Sequence, residues 1–350
     1  MTIFRFPFYL LHFSASNVQI PKLARCLQYL FMKAFKTVLE VMEMIERHIQ
    51  FYSEGYKLDG TVYLPDDYKK GEKRPAIIPN SGYQGFNEFY PKLFARNLTA
   101  AGYVCLGFDY RSFAQSEGEE GRVILDEQVE DIHNAITFLS LQEEVDSDRI
   151  GLIGWGMGGS NVVRVAARDK RVKAVAALNG FYNGQRWLRS IHSYVEWNEI
   201  LKTVKKDREQ RVLTGKSQLA NTFIHYPLDP ETADYVEKEL AILSPFGKQT
   251  VLQFTDSIIS MNAEEEVKNV TVPLFIAHGK DNLLHPLDEA NGLYEAANEP
   301  KELYIINGKH NDFMYHEHEI FQDLNEQLKA FFNGILTKKE EDSKVTQLQR

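Results

Sequence analysis

Four glycines fall within six residues in Gly154-Trp155-Gly156-Met157-Gly158-Gly159, directly after an apolar strand pattern. The run Arg149–Gly154 ahead of them and the periodic stretch Gly158–Arg168 behind them predict a strand, a tight turn and a helix. A helix starting at such a turn aims its positive dipole end at whatever lies before it, a suitable place for a developing negative oxygen. His310, within Ile305–Phe313 (IINGKHNDF), adds the side-chain type that titrates near neutral pH and moves protons in pockets. Asp312, two residues on, is either a group that orients His310 or a solvent-facing loop acid.

Other reactive side chains carry weaker patterns. His316 and His318 stand two apart, which fits no common helical ligand pair, and no cysteine or carboxylate pattern completes a metal site. Cys105 lies inside an apolar strand pattern and reads as a small core residue. The glycines at 154, 156, 158 and 159 lack dinucleotide-loop spacing, and no acid ends the following strand where a ribose would be held. The sequence therefore implies no cofactor and no metal.

The elements that must position these residues alternate along the chain. His48–Ser53 and Tyr56–Leu64 read as a hairpin through Glu54-Gly55. Strands are expected at Pro75–Asn80, Tyr103–Phe108, Arg149–Gly154, Val172–Leu178, Val272–His278 and Glu302–Ile306. Helices are expected at Glu88–Ala101, Leu125–Leu141, Gly158–Arg168 and Ile320–Ile335. Short apolar strands alternating with helices predict an α/β fold with a mainly parallel sheet covered on both faces. Residues 181–265 break the rhythm and read as a helical lid insertion. In that segment Trp187, Tyr194, Trp197, Phe223, His225 and Tyr226 either line an aromatic pocket or form the insertion's own core.

The ordered motifs resemble the α/β-hydrolase superfamily, in its dienelactone hydrolase and prolyl-oligopeptidase-like branch. There a strand enters G-x-S-x-G-G and then a helix. Asp109-Tyr110-Arg111 with Ser116-Glu117-Gly118 is similar to the stretch after that family's fourth strand. The region of His310 is similar to the segment around its catalytic histidine. The resemblance runs from about residue 47 to 335 and implies a sheet of about eight strands. It puts Gly156 at the nucleophile position, where no side chain can form an acyl-enzyme. The family's acid position falls on Asn282 in His278-Gly279-Lys280-Asp281-Asn282, with Asp281 one residue early and Pro286 setting the register. The family's oxyanion donors map to the backbone amides of Met157 and Tyr83, which need no particular side chain. Ser81 stands where relatives often carry histidine, and borders the pocket or packs the loop. Trp155, inside the elbow, joins the expected substrate-binding group. Arg111 either secures its loop or reaches an anionic substrate. Ser160, one helical turn past Gly156, is the alternative nucleophile, or else packs the helix.

Composition narrows the function classes. Lys and Arg total 40 against 49 Asp and Glu, giving a net charge of −9, the wrong sign for phosphate backbones. Cys26 and Cys105 make no disulfide framework. No apolar run reaches the roughly 18 to 20 residues of a membrane span. A cytoplasmic protein acting on a small molecule is expected. Residues 1–46 form an extension, with a helical pattern at 21–49 through Leu23, Leu27, Leu30, Ala34, Val38, Met42, Ile45 and Ile49. The first 39 residues carry Arg5, Lys22, Arg25, Lys33 and Lys36 and no acid, so that helix either lies on a membrane surface, packs on the domain, joins two copies as a homo-oligomer, or reflects a start placed too far upstream. Residues 1–13 also resemble a short signal peptide, although Pro7 and His12 sit badly in one. The core is expected at 47–180 and 266–337, and a charged tail at 338–350. Three functions remain open: an enzyme without a covalent serine, an inactive hydrolase relative that binds a ligand or partner, and an ordinary esterase, thioesterase or peptidase whose nucleophile lies elsewhere or has been mutated.

Overall fold

The computed structural model describes residues 44–83, 85–240 and 249–337. The helix expected over residues 21–43, with its proposed self-association, and the tail at 338–350 lie outside them. Eight strands form one sheet: β1 (Ile45–Ser53), β2 (Tyr56–Leu64), β3 (Arg74–Asn80), β4 (Val104–Phe108), β5 (Val145–Trp155), β6 (Val172–Leu178), β9 (Leu274–Gly279) and β10 (Lys301–Ile306). Their spatial order is β1-β2-β4-β3-β5-β6-β9-β10. The first two are antiparallel, and every pairing from β4 to β10 is parallel. This is the α/β-hydrolase fold.

One boundary is corrected. Ile45 and Ile49, which extend the helical pattern, lie in β1. A four-residue interval keeps residues on one face of a strand as well as a helix, so the spacing did not separate the two there.

Alternate strand residues feed two apolar layers. Ile78, Leu106, Leu152 and Val175 pack toward α2 (Leu125–Ser140), α3 (Met157–Arg168) and α9 (Leu287–Ala296). Their neighbours Ile77, Cys105, Ile153 and Ala174 face α1 (Tyr90–Ala100) and α10 (Glu319–Leu336). Burial on both faces explains why these strands read as continuous apolar runs.

Between β6 and β9 the chain leaves the sheet. It forms α4 (Gly184–Ser190), α5 (Tyr194–Thr214), a small ribbon of β7 (Leu219–Asn221) and β8 (Gln249–Val251), α6 (Pro230–Tyr235), α7 (Gln253–Ser260) and α8 (Ala263–Glu266). Ser193 and Glu196 cap α5 reciprocally, and Gly215 ends it in the left-handed conformation. None of the described helices is long and apolar enough to cross a membrane.

Candidate active site

Because β3, β5, β6, β9 and β10 run parallel, their carboxyl ends deliver the loops holding Tyr83, Gly156, Asn179, His285 and His310 to one edge of the sheet. At the end of β5 the chain turns through Gly156, at φ +56° and ψ −124°, and enters α3 at Met157. A residue with a side chain is strained in that conformation. A Cβ placed on Gly156 would meet only His285 Cε1, at 3.9 Å. The loop after β3 crosses so close that a Cβ on Gly82 would lie 3.3 Å from the Met157 nitrogen and 2.9 Å from the Trp155 oxygen. The Tyr83 segment and the start of α3 therefore border one cleft, which spans about 490 Å³ and opens to solvent.

His310 lines that cleft and is almost fully buried. Its ring packs edge-on against Trp155, at 5.8 Å between ring centres, and against His285, at 4.8 Å. Its Nδ1 has no hydrogen-bond partner among the described residues. Burial, reinforced by His278, pushes His310 down to about 3, so the imidazole is neutral at physiological pH. Asp312 does not orient it: that carboxylate accepts from the Lys309 backbone N–H at 2.8 Å.

The acid position is rebuilt as a structural turn. Asn282 Oδ1 accepts from the His285 backbone N–H at 2.9 Å, and its amide lies 3.4 Å from His278 Nε2. Asp281 lines an adjacent depression whose rim holds Asp229, Glu231, Asp234 and Asp312 with Lys238 and Lys309.

The turn brings in a second histidine. His285 Nδ1 lies 2.6 Å from the Asn179 carbonyl oxygen, and Nε2 lies 2.8 Å from the Tyr226 hydroxyl. Asn179, at φ +50°, also donates through Nδ2 to the His310 carbonyl at 2.9 Å and accepts from the Gly279 N–H at 2.7 Å. Burial, with His310 and His278 close by, holds His285 well below its ordinary range. Burial drives the Tyr226 phenol upward, away from ionisation. Sequence reasoning missed His285. Its only signal was its place directly before Pro286, which sets the start of α9.

The insertion supplies the opposite wall through Phe223, Tyr226, Leu228, Thr232, Tyr235 and Val236. Of the other aromatics singled out there, Trp187 stacks on Phe181 inside the core and Tyr194 is exposed. His225 contacts Thr255 Oγ1 at 3.0 Å.

Several candidates lie elsewhere. Arg111 is removed from the cleft: it is buried, and Nε and Nη2 donate to Asp131 at 2.9 and 2.7 Å, with a further bond to Ser53. A guanidinium spent on an internal carboxylate has no reach to an anionic substrate. Ser81 packs its loop, donating to the Phe86 carbonyl at 2.9 Å. Ser160 is buried and donates to the Phe181 carbonyl, which removes it as a nucleophile. Cys105 is buried in β4. His318 caps α10, and His316 packs against Phe321. The structure thus brings Gly156, Met157, Trp155, Tyr83 and His310 together, with Asn282 behind them.

The model of the family described as X-Pro dipeptidyl-peptidase (S15 family) matches residues 54–312. An uncharacterized 31.7 kDa protein of Escherichia coli, from the traX-finO intergenic region, is 32% identical over 239 residues, covering 66% of this chain and 81% of that one. Acyltransferase drtE of Aspergillus calidoustus is 24% identical over 286 residues, 77% of this chain and 90% of that one. The crystal structure of the α/β hydrolase GrgF from Penicillium superposes with a TM-score of 0.70 at 21% identity, covering 84% of this chain and 99% of that one.

Proposed function

The chain belongs to the X-Pro dipeptidyl-peptidase (S15) family, and from that membership we propose an enzyme that acts on a small carbonyl or acyl substrate without a covalent serine. The observation that carries this reading is the elbow itself. Gly156 keeps a positive-φ backbone at the strand-to-helix turn and offers no nucleophile, while Met157 opens a helix at the cleft and His310 stands across it. Acyl-enzyme chemistry needs a side chain at that apex. Oxyanion stabilisation needs only backbone N–H groups, and each such donor is worth about 3 to 4 kcal/mol.

In this reading the Met157 and Tyr83 amides hold the developing oxyanion. Neutral His310 takes a proton from a bound nucleophile and returns it to the leaving group. Transfer of an acyl group between two bound partners, hydrolysis by activated water, and lyase or cyclase steps through an enolate all use that set. The relative called an acyltransferase supports acyl transfer as the first reaction to try. The insertion 181–265 acts as the lid, because six of its side chains wall the cleft.

The test is turnover of p-nitrophenyl esters and acyl thioesters by the wild type and by His310→Ala. Activity that vanishes in His310→Ala is the expected result; activity of equal size in both proteins refutes the assignment. A second reading, a ligand-binding relative without catalysis, is favoured by one observation: His310 has no orienting acid and resists protonation down to about 3. A ligand that co-purifies, together with no turnover by the wild type, would select that reading.

A further inference from the structure

We propose that Tyr226 is a specificity-determining residue, locked by His285 and Asn179 as a hydrogen-bond acceptor, and that it selects acyl substrates bearing an O–H or N–H group a few bonds from the reacting carbonyl. The inference rests on the acyl chemistry proposed above and adds which substrates that site takes.

The Asn179 main-chain oxygen can only accept, so the 2.6 Å contact requires a hydrogen on His285 Nδ1. Burial keeps the imidazole neutral, so Nε2 carries a bare lone pair. The hydroxyl 2.8 Å away must then be the donor, and the Tyr226 O–H points at Nε2. With its one hydrogen committed, the Tyr226 oxygen offers the cleft a lone pair and no donor. Both His285 nitrogens are engaged, so His285 offers the cleft only a ring carbon edge, and the polar atom presented beside it is the Tyr226 oxygen.

The ring has little freedom to undo this arrangement. Tyr226 stacks on Phe254 at 6.3 Å between ring centres and packs edge-on against Trp187 at 4.6 Å. His285 is clamped in turn against Phe181 at 4.9 Å. The same imidazole reaches, through Cε1, within 3.9 Å of the Cβ position at Gly156, and Tyr226 lines the same cleft as Gly156. A substrate with a donor at the matching position satisfies the buried oxygen. One without it leaves the accepting lone pair of that oxygen unmatched although its hydrogen stays bonded to His285, and sites built to hydrogen-bond a substrate group discriminate against analogues lacking it.

The test compares butanoyl thioester with its 2-, 3- and 4-hydroxy derivatives, in the wild type and in Tyr226→Phe, which removes one oxygen and keeps the ring. One hydroxy isomer is expected to exceed the parent by at least about tenfold in kcat/KM, and Tyr226→Phe to bring the pair within about twofold. No preference in the wild type, or a preference that survives in Tyr226→Phe, overturns the proposal. Turnover that needs His310 but ignores the hydroxyl refutes the selectivity alone; turnover of no substrate refutes the reaction proposed above together with it. A long-range ¹H–¹⁵N spectrum of the imidazoles reads the lock without turnover. His285 is expected as the Nδ1–H tautomer, with Nε2 shifting in Tyr226→Phe, and an Nε2–H tautomer overturns the lock.

Discussion

Replacing Gly156 by serine tests the physical account of the elbow. A Cβ at that position meets nothing nearer than His285 Cε1 at 3.9 Å, so the added Cβ meets no clash. The cost is conformational: φ +56° with ψ −124° is sparsely populated by residues with a side chain and carries about 1 to 3 kcal/mol. Losing glycine's freedom in the unfolded chain returns about 0.4 to 1 kcal/mol. Gly156→Ser should therefore fold with a net loss between about zero and 2.6 kcal/mol, read as an equal or lower urea midpoint at unchanged slope. A loss above about 4 kcal/mol would mean that the elbow lacks the room seen here, because only clashes or buried unpaired groups reach that size. A clear net gain in stability would mean that residue 156 does not hold the positive-φ conformation.

Three further outcomes follow from buried groups. Arg111→Met leaves Asp131 charged and buried without its partner, so stability should fall by about 3 to 5 kcal/mol with no change in KM for anionic esters. Chemical denaturation beside a kinetic titration checks both halves. Burial raises Asp109 from 3.8 to about 6, so its folded form holds a proton to higher pH than its unfolded form. Stability from this group is thus lost as pH rises from about 4 to 6, by about 3 kcal/mol in total, and urea midpoints of Asp109→Asn should lack that decline relative to wild type. Ser160→Ala removes a single buried hydrogen bond, so it should cost about 1 kcal/mol while turnover stays at the wild-type level, measured on whichever ester proves active.

The sequence displayed what depends on local pattern. β5, the glycine turn and α3 are contiguous, so their register was visible in the chain, and His310 followed from the segment after β10. The hidden parts depend on contacts between distant segments. Tyr226 stood out as one aromatic among six in the insertion, and only its approach to His285, 59 residues away, distinguishes it. The family resemblance assigned Asn282 to the acid position, but its use as a turn brace for His285 appears only once the loop closes. α9 escaped notice because Gly292 interrupts a short, weakly apolar stretch, lowering its helical signal. Arg111 shows the converse, since a cation near a pocket-forming loop looks the same in sequence whether it faces a ligand or a buried carboxylate.

Asn179 gives the cleft a mechanical property. Its side chain fastens the His310 loop and the Gly279 turn, and its carbonyl fastens His285. The left-handed backbone that aims these groups is one that asparagine tolerates better than most residues. Three loops from three strands therefore share a single fastening, and none can loosen far without straining the others. In native-state hydrogen exchange such loops behave as one opening unit, with a common free energy at Gly279 and Asn282 in place of separate fraying. The cleft would thus breathe as a whole, so its entrance and its reacting centre would open on the same timescale.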